Sequence, residues 1–323
     1  MVLTILKFAV ISMLVTAGIA LGLIASQSPR KLAVPAGGGL DFSASLQRGV
    51  AVMPKPKSVA MRDGWHMPVR EYPGGGPLIL LIHGSGWNGL QFSSLASVLG
   101  GETHVLAPDL RGHGETPERR GDVDYIGQME DDLADLIAAR RKDGQKVVLI
   151  GHSSGGGLVT RFAGGPHGAL VDHAVLLAPF LGHKSPTTRQ NAGGWTQVLL
   201  RRIIGLSMLN AVGITALNHL TIIQFAMPQP VIDGPYGHLA TTSYSYRLNT
   251  GFAPRGDYLG DVAALPEFTL IVGSKDEAFY ADRYQEVMSA VTNKDSYHIV
   301  PGEGHLGIVD AGATATLIRE AIR

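Results

Sequence analysis

The sequence predicts an α/β protein, with a mostly parallel central sheet and helices on both of its faces. Three observations carry this. Short apolar runs such as Leu78–Ile82 and Val147–Ile150 alternate with stretches of helical period, the pattern of strands buried on both sides. Gly and Pro punctuate the alternation, and 42 glycines suit tight turns flanking strands better than disorder. Apolar residues make up 45% of the 323 positions and charged residues 17%, enough apolar side chain for one large core.

The first element stands apart from the sheet. Phe8 to Ala25 is uncharged and almost wholly apolar, with Lys7 before it and Arg30 and Lys31 after it. At about 1.5 Å per residue it spans roughly 27 Å, close to the ~30 Å of a bilayer core. Residues 1–27 are therefore read as a hydrophobic anchor or a signal segment. An anchor is favoured, because Gly18-Ile19-Ala20 lies inside the apolar run and Ile24 spoils a small-x-small cleavage site at Ser26. Positive charge flanks both ends, so both orientations stay open; the short tail with Lys7 favours the N-terminus inside and the following domain outside the cytoplasm, and cleavage would instead secrete that domain. Residues 28–57, with Pro29, Pro35, Gly37-Gly38-Gly39, Pro54 and Pro56, read as a linker.

Residues 58–323 carry the alternation. Ser58–Arg62 and Met67–Tyr72 are strands around an Asp63-Gly64 turn, followed by strands at Leu78–Ile82 and Thr103–Ala107. Tyr125–Arg141 is a helix, since Ile126, Met129, Leu133, Leu136 and Ile137 share one face. A strand at Lys146–Ile150 runs into a helix at Ser154–Ala163, and a strand follows at His173–Leu177. Phe268–Val272, a helix around Tyr280–Val291, Tyr297–Val300 and a helix after His305 complete the set. Between them, residues 181–257 break the alternation. The apolar stretch Val198–Met227 marks this segment as an inserted helical cap.

Composition excludes several function classes. Formal net charge is zero, so no basic field points to nucleic acid. The chain has no cysteine, which excludes disulfides, thiolate metal sites and a Cys nucleophile. His219 and His238 have no Asp, Glu or His at ligand spacing, so no metal is expected, and no cofactor.

Gly151-His152-Ser153-Ser154-Gly155 stands between a buried strand and a helix. A strand that turns abruptly into a helix forces its Ser into a strained conformation, and the turn closes only with small residues two positions to either side. Ser153 is the candidate nucleophile. Ser154 is its rival, but has no Gly two residues before it. Acyl transfer also needs donors aimed at an oxyanion. The backbone N–H groups of Ser154 and of Ser85, in His83-Gly84-Ser85-Gly86, are the candidates; His83 itself is expected to be structural. Asp276, after the strand Phe268–Val272, is the candidate acid, with Glu277 as competitor expected to turn away. His305, flexibly placed by Gly302-Glu303-Gly304, is the candidate base. Trp87 is placed in the substrate pocket, with packing under the cap as the alternative.

From Pro77 onward the chain resembles the α/β-hydrolase superfamily. The motifs are His83-Gly84-Ser85-Gly86, Asp109-Leu110-Arg111-Gly112-His113-Gly114, Gly151-His152-Ser153-Ser154-Gly155-Gly156, and the Asp276 and His305 loops. Within it, the chain is similar to the lysophospholipase, monoacylglycerol lipase and serine aminopeptidase group. It departs from that group at Ser154, usually Met or Gln. Carbon–carbon bond hydrolases share the His83–Gly86 motif, but carry Pro-Gly where this chain has Trp87-Asn88. The resemblance implies the α/β-hydrolase fold, Arg111 and His113 tying loops together, and a serine hydrolase acting on small or lipid-like carboxylic esters. Carbon–carbon cleavage, perhydrolysis, or a non-catalytic membrane-tethered binding protein are the alternatives.

Overall fold

The computed structural model describes residues 2–32, 39–115, 117–190 and 194–323; Pro35, Gly37 and Gly38 of the expected linker lie outside them. The chain opens with α1 (Val2–Ala25), a helix apolar around its whole circumference and long enough to cross a bilayer. A short α2 (Ser43–Arg48) precedes the antiparallel pair β1 (Lys57–Ala60) and β2 (His66–Tyr72). Then come β3 (Leu78–Ile82), α3 (Ser93–Leu99), β4 (His104–Pro108), α4 (Gln128–Arg140), β5 (Val147–His152), α5 (Ser154–Ala163) and β6 (His173–Leu177).

The insertion between β6 and the rest of the sheet is mixed, a correction to the expected helical cap. It holds β7 (Thr196–Val198), α6 (Leu200–Asn210), β8 (Thr221–Phe225), α7 (Gln229–Ile232), β9 (Ser243–Ser245) and α8 (Tyr246–Gly251). The three strands form a small antiparallel sheet, β7-β8-β9. Its centre is Thr-Ile-Ile-Gln-Phe, whose β-branched residues favour a pleated strand over the helix that overall apolarity suggested. After the insertion come α9 (Tyr258–Ala263), β10 (Phe268–Gly273), α10 (Tyr284–Ser289), β11 (Asp295–Val300) and α11 (Gly312–Ala321). The helix expected around Tyr280–Val291 is shorter, because Ala281–Arg283 winds as a 3-10 turn.

The main sheet has eight strands in the order β1-β2-β4-β3-β5-β6-β10-β11. From β4 onward all neighbours are parallel; β1 and β2 are antiparallel at one edge. Strands β3 and β5 are buried along their whole length, as runs without polar alternation require. β4 lies on one side of β3 and β5 on the other, so the chain reverses direction across the sheet there. The loops leaving the carboxyl ends of β3 and β5 diverge and open a crevice.

The cap also holds the end of α1. Ala20, Ile24, Leu206, Leu209, Ile222 and Tyr246 form a small core separate from the main one. Arg202 donates to the Ile24 and Gln27 carbonyls, and the Gln27 side chain accepts from the Arg201 N–H at 2.7 Å. α6 therefore runs antiparallel to the last turns of α1. The expected linker packs against the domain in part: Phe42 meets Trp195, ring centroids 5.6 Å apart, and the Ala51 N–H bonds to Ser93.

Candidate active site

The geometry begins at the end of β5. Ser153 has φ 54° and ψ −121°, a left-handed backbone at a non-glycine residue. Such a conformation costs about 1–3 kcal/mol and persists only where its surroundings impose it. Here they do: the Ser153 N–H bonds to the Leu177 carbonyl at 3.0 Å, and its carbonyl accepts from Gly157 and Phe180. Side chains are excluded on both flanks. A Cβ on Gly151 would stand 2.4 Å from the Gly155 carbonyl oxygen, and one on Gly155 would stand 2.2 Å from that of Ile82.

Three side chains from distant loops converge at this turn. The Ser153 Oγ lies 3.0 Å from His305 Nε2, and His305 Nδ1 lies 2.8 Å from Asp276 Oδ2. Asp276 Oδ1 accepts from the N–H groups of Ala278 and Phe279 at 2.8 and 2.7 Å. Burial pushes the Asp276 carboxyl up, but His305 and these hydrogen bonds outweigh it and hold it below the ordinary aspartate value. An ionised, immobilised carboxylate keeps the proton of His305 on Nδ1 and leaves Nε2 free to accept from the serine. Glu277 does not turn away: its Oε2 accepts from the His305 N–H at 2.7 Å, fixing the backbone of that loop.

Ser85 and Ser154 meet above the same point, their hydroxyls 2.7 Å apart. Among the described residues neither backbone N–H has an acceptor, and that of Ser154 begins α5, where the helix dipole favours negative charge. A network braces the loop from β3. The Gly86 N–H donates to the Tyr244 hydroxyl at 2.6 Å, and Tyr244 donates to His113 Nε2 at 2.7 Å. His83 is structural: it is fully buried, accepts from the Leu110 N–H, and burial pulls its pKa down to about 4. Arg111 ties loops together by pairing with Asp132 and Asp63.

Two residues outside the expected site complete it. The Gly84 N–H donates to Gln91 Oε1 at 2.7 Å, and Gln91 Nε2 donates to His152 Nδ1 at 2.6 Å. His152 Nε2 then donates to the His305 carbonyl at 2.8 Å. Burial, and then the nearby His305, take the pKa of His152 to about 3, so the ring is neutral. One relay thus joins the loops of Gly84, Ser153 and His305. Gln91 lies within no motif, and His152 occupies a variable position of one.

The site opens into a cavity of about 310 Å³ whose walls include Phe42, Leu46, Trp87, Trp195, Met227 and Val231. Among the described residues no cluster of His, Cys, Asp or Glu could hold a metal ion. His219 bonds the Ala216 carbonyl within its own turn.

A sheet of this order, a strained Ser between strand and helix, and a site at the strand ends define a hydrolase of the α/β class. The model of the alpha/beta hydrolase family matches residues 79–317, and the chain belongs to that family. It is 28% identical over 255 residues to an uncharacterized protein of Mycobacterium tuberculosis, covering 73% of this chain and 72% of that one. Among solved structures it is similar to a thermophilic esterase from Thermogutta terrifontis, with TM-score 0.56, 22% identity and coverage of 84% and 97%. It is also similar to a soluble variant of monoglyceride lipase from Saccharomyces cerevisiae, with TM-score 0.60, 14% identity and coverage of 84% and 94%.

Proposed function

We propose that the chain is a membrane-anchored serine hydrolase that cleaves carboxylic esters of small or lipid-like substrates. The observation that carries this is the hydrogen-bonded line from Asp276 through His305 to Ser153, ending in a largely apolar cavity. His305 takes the Ser153 proton as Oγ attacks the ester carbonyl. The N–H groups of Ser85 and Ser154 receive the oxyanion, at the positive end of α5. His305 returns the proton to the leaving alcohol, and water activated by the same imidazole releases the acid from the acyl-enzyme. Phe42, Leu46 and Trp87 suit an apolar acyl chain.

Residues 1–27 are the anchor in this reading, 28–57 the connection and 58–323 the catalytic unit, outside the cytoplasm by the charge of Lys7. Retention of the helix, rather than its cleavage, is supported by the bonds from Arg202 and Arg201 to Ile24 and Gln27. Removing them would strip one wall from the core around Leu206 and Leu209.

Ser153→Ala is expected to lower hydrolysis of p-nitrophenyl esters by about 10⁴-fold or more, and to abolish labelling by a fluorophosphonate. An ester chain-length series on the native chain then reads the acyl preference. Unchanged turnover in the variant would remove the proposal. Turnover of a diketone without any p-nitrophenyl ester would transfer the site to carbon–carbon cleavage.

A further inference from the structure

The cap carries an exposed apolar surface that the proposed chemistry does not use. Leu200 and Ile204, one turn apart on α6, are 56% and 44% exposed, and Val212 in the turn that follows is 72% exposed. From Ile203 to Asn218 the chain has no charged residue. A contiguous surface of this kind is costly in water and marks a contact.

The turn after α6 is a helix stop, with Gly213 in the left-handed region at φ 81°. The N–H groups of Ala211, Val212, Gly213 and Ile214 all reach carbonyls of Ser207, Leu209 or Asn210, at 2.9 to 3.2 Å. The Asn210 and Asn218 amides pair reciprocally at 2.7 and 2.9 Å, and the Ser207 hydroxyl meets that of Tyr246.

The surface is continuous with α1. α6 packs antiparallel to the end of that helix, so close that a Cβ on Gly205 would stand 2.5 Å from the Ala20 carbonyl oxygen. Arg201 begins α6 against Gln27, and the exposed cations Arg30 and Lys31 follow within six residues of the end of α1. They mark a headgroup level. From there α6 runs back along α1 for on the order of 15 Å, the depth of one leaflet.

We propose that α6 and the turn through Val212 and Ile214 dock into the leaflet beside α1, so that the cap is seated in lipid rather than hung above it. This rests on α1 being an anchor and is independent of the chemistry proposed for Ser153. Because the chain has no cysteine, Val212→Cys gives a single thiol for a nitrobenzoxadiazole fluorophore. Lys142→Cys, in an exposed turn, is the control. In the full chain reconstituted into phosphatidylcholine vesicles, the probe at 212 is expected to emit to the blue of the probe at 142. It should show a several-fold fall in quenching by aqueous iodide and be quenched by nitroxide-bearing lipid. Equal iodide quenching at the two positions would overturn the proposal. So would blue emission without quenching by nitroxide lipid, which would mean that a second copy of the chain covers the surface. A chain that fails to float with the vesicles would sink both this proposal and the anchor, whereas floating with a water-exposed 212 would sink this one alone. The same readings on the Ser153→Ala chain separate the result from catalysis.

Discussion

Gln91 shows how a single amide can register the loops of the candidate site. It accepts from the loop that holds Ser85 and donates to His152, which in turn holds the carbonyl of His305. Gln91→Leu keeps much of the volume and removes both bonds, leaving a backbone N–H and an imidazole nitrogen unpaired. Losing registry between the proposed base and nucleophile is expected to lower kcat by about 10–100-fold while KM stays nearly constant. Steady-state ester kinetics check this, and an unaltered kcat would reduce Gln91 to packing. Ser153 and His305 were legible in the sequence because each carries local punctuation, flanking glycines after an apolar run. Gln91 and Glu277 were not. Their partners, the Gly84 N–H and the His152 ring for Gln91 and the His305 N–H for Glu277, meet them only in the fold, and no local pattern records such a bond.

At the scale of elements, legibility followed burial. β3 and β5 could be read because a strand covered on both faces has no polar positions to blur it. The cap sheet could not, since β7 and β9 are three residues each and show no period. Nor does periodicity say which helix α1 touches; that rests on a fit between the two surfaces that is tightest at Gly205. Gly205→Leu forces a side chain against the Ala20 carbonyl and Ile24. It is expected to cost about 1–3 kcal/mol and to loosen the cap from α1. Thermal unfolding in detergent micelles would report a lower midpoint, and an unshifted midpoint would contradict the contact.

For the molecule as a whole, buried neutral histidines contribute to acid sensitivity. An unfolded histidine gains its proton near pH 6.5, whereas burial delays His83 to about 4 and His152 to about 3. Between those limits these two rings gain charge only in the unfolded chain, so the stability they contribute is full above about pH 6.5 and is lost as pH falls. His83→Gln should remove about 3 kcal/mol of that loss. Urea midpoints at about pH 7 and about pH 4.5 would then lie closer together than in the native chain, and an equal spread would refute this. The stem between α1 and β1 has a different bearing on the whole. Leu40, Phe42 and Leu46 help to wall the cavity, and the Asp41 N–H bonds to Glu277, the residue that holds the His305 loop. A protease shedding the domain here would not set free an intact enzyme. Release from the surface and a change in what the cavity accepts would be one event.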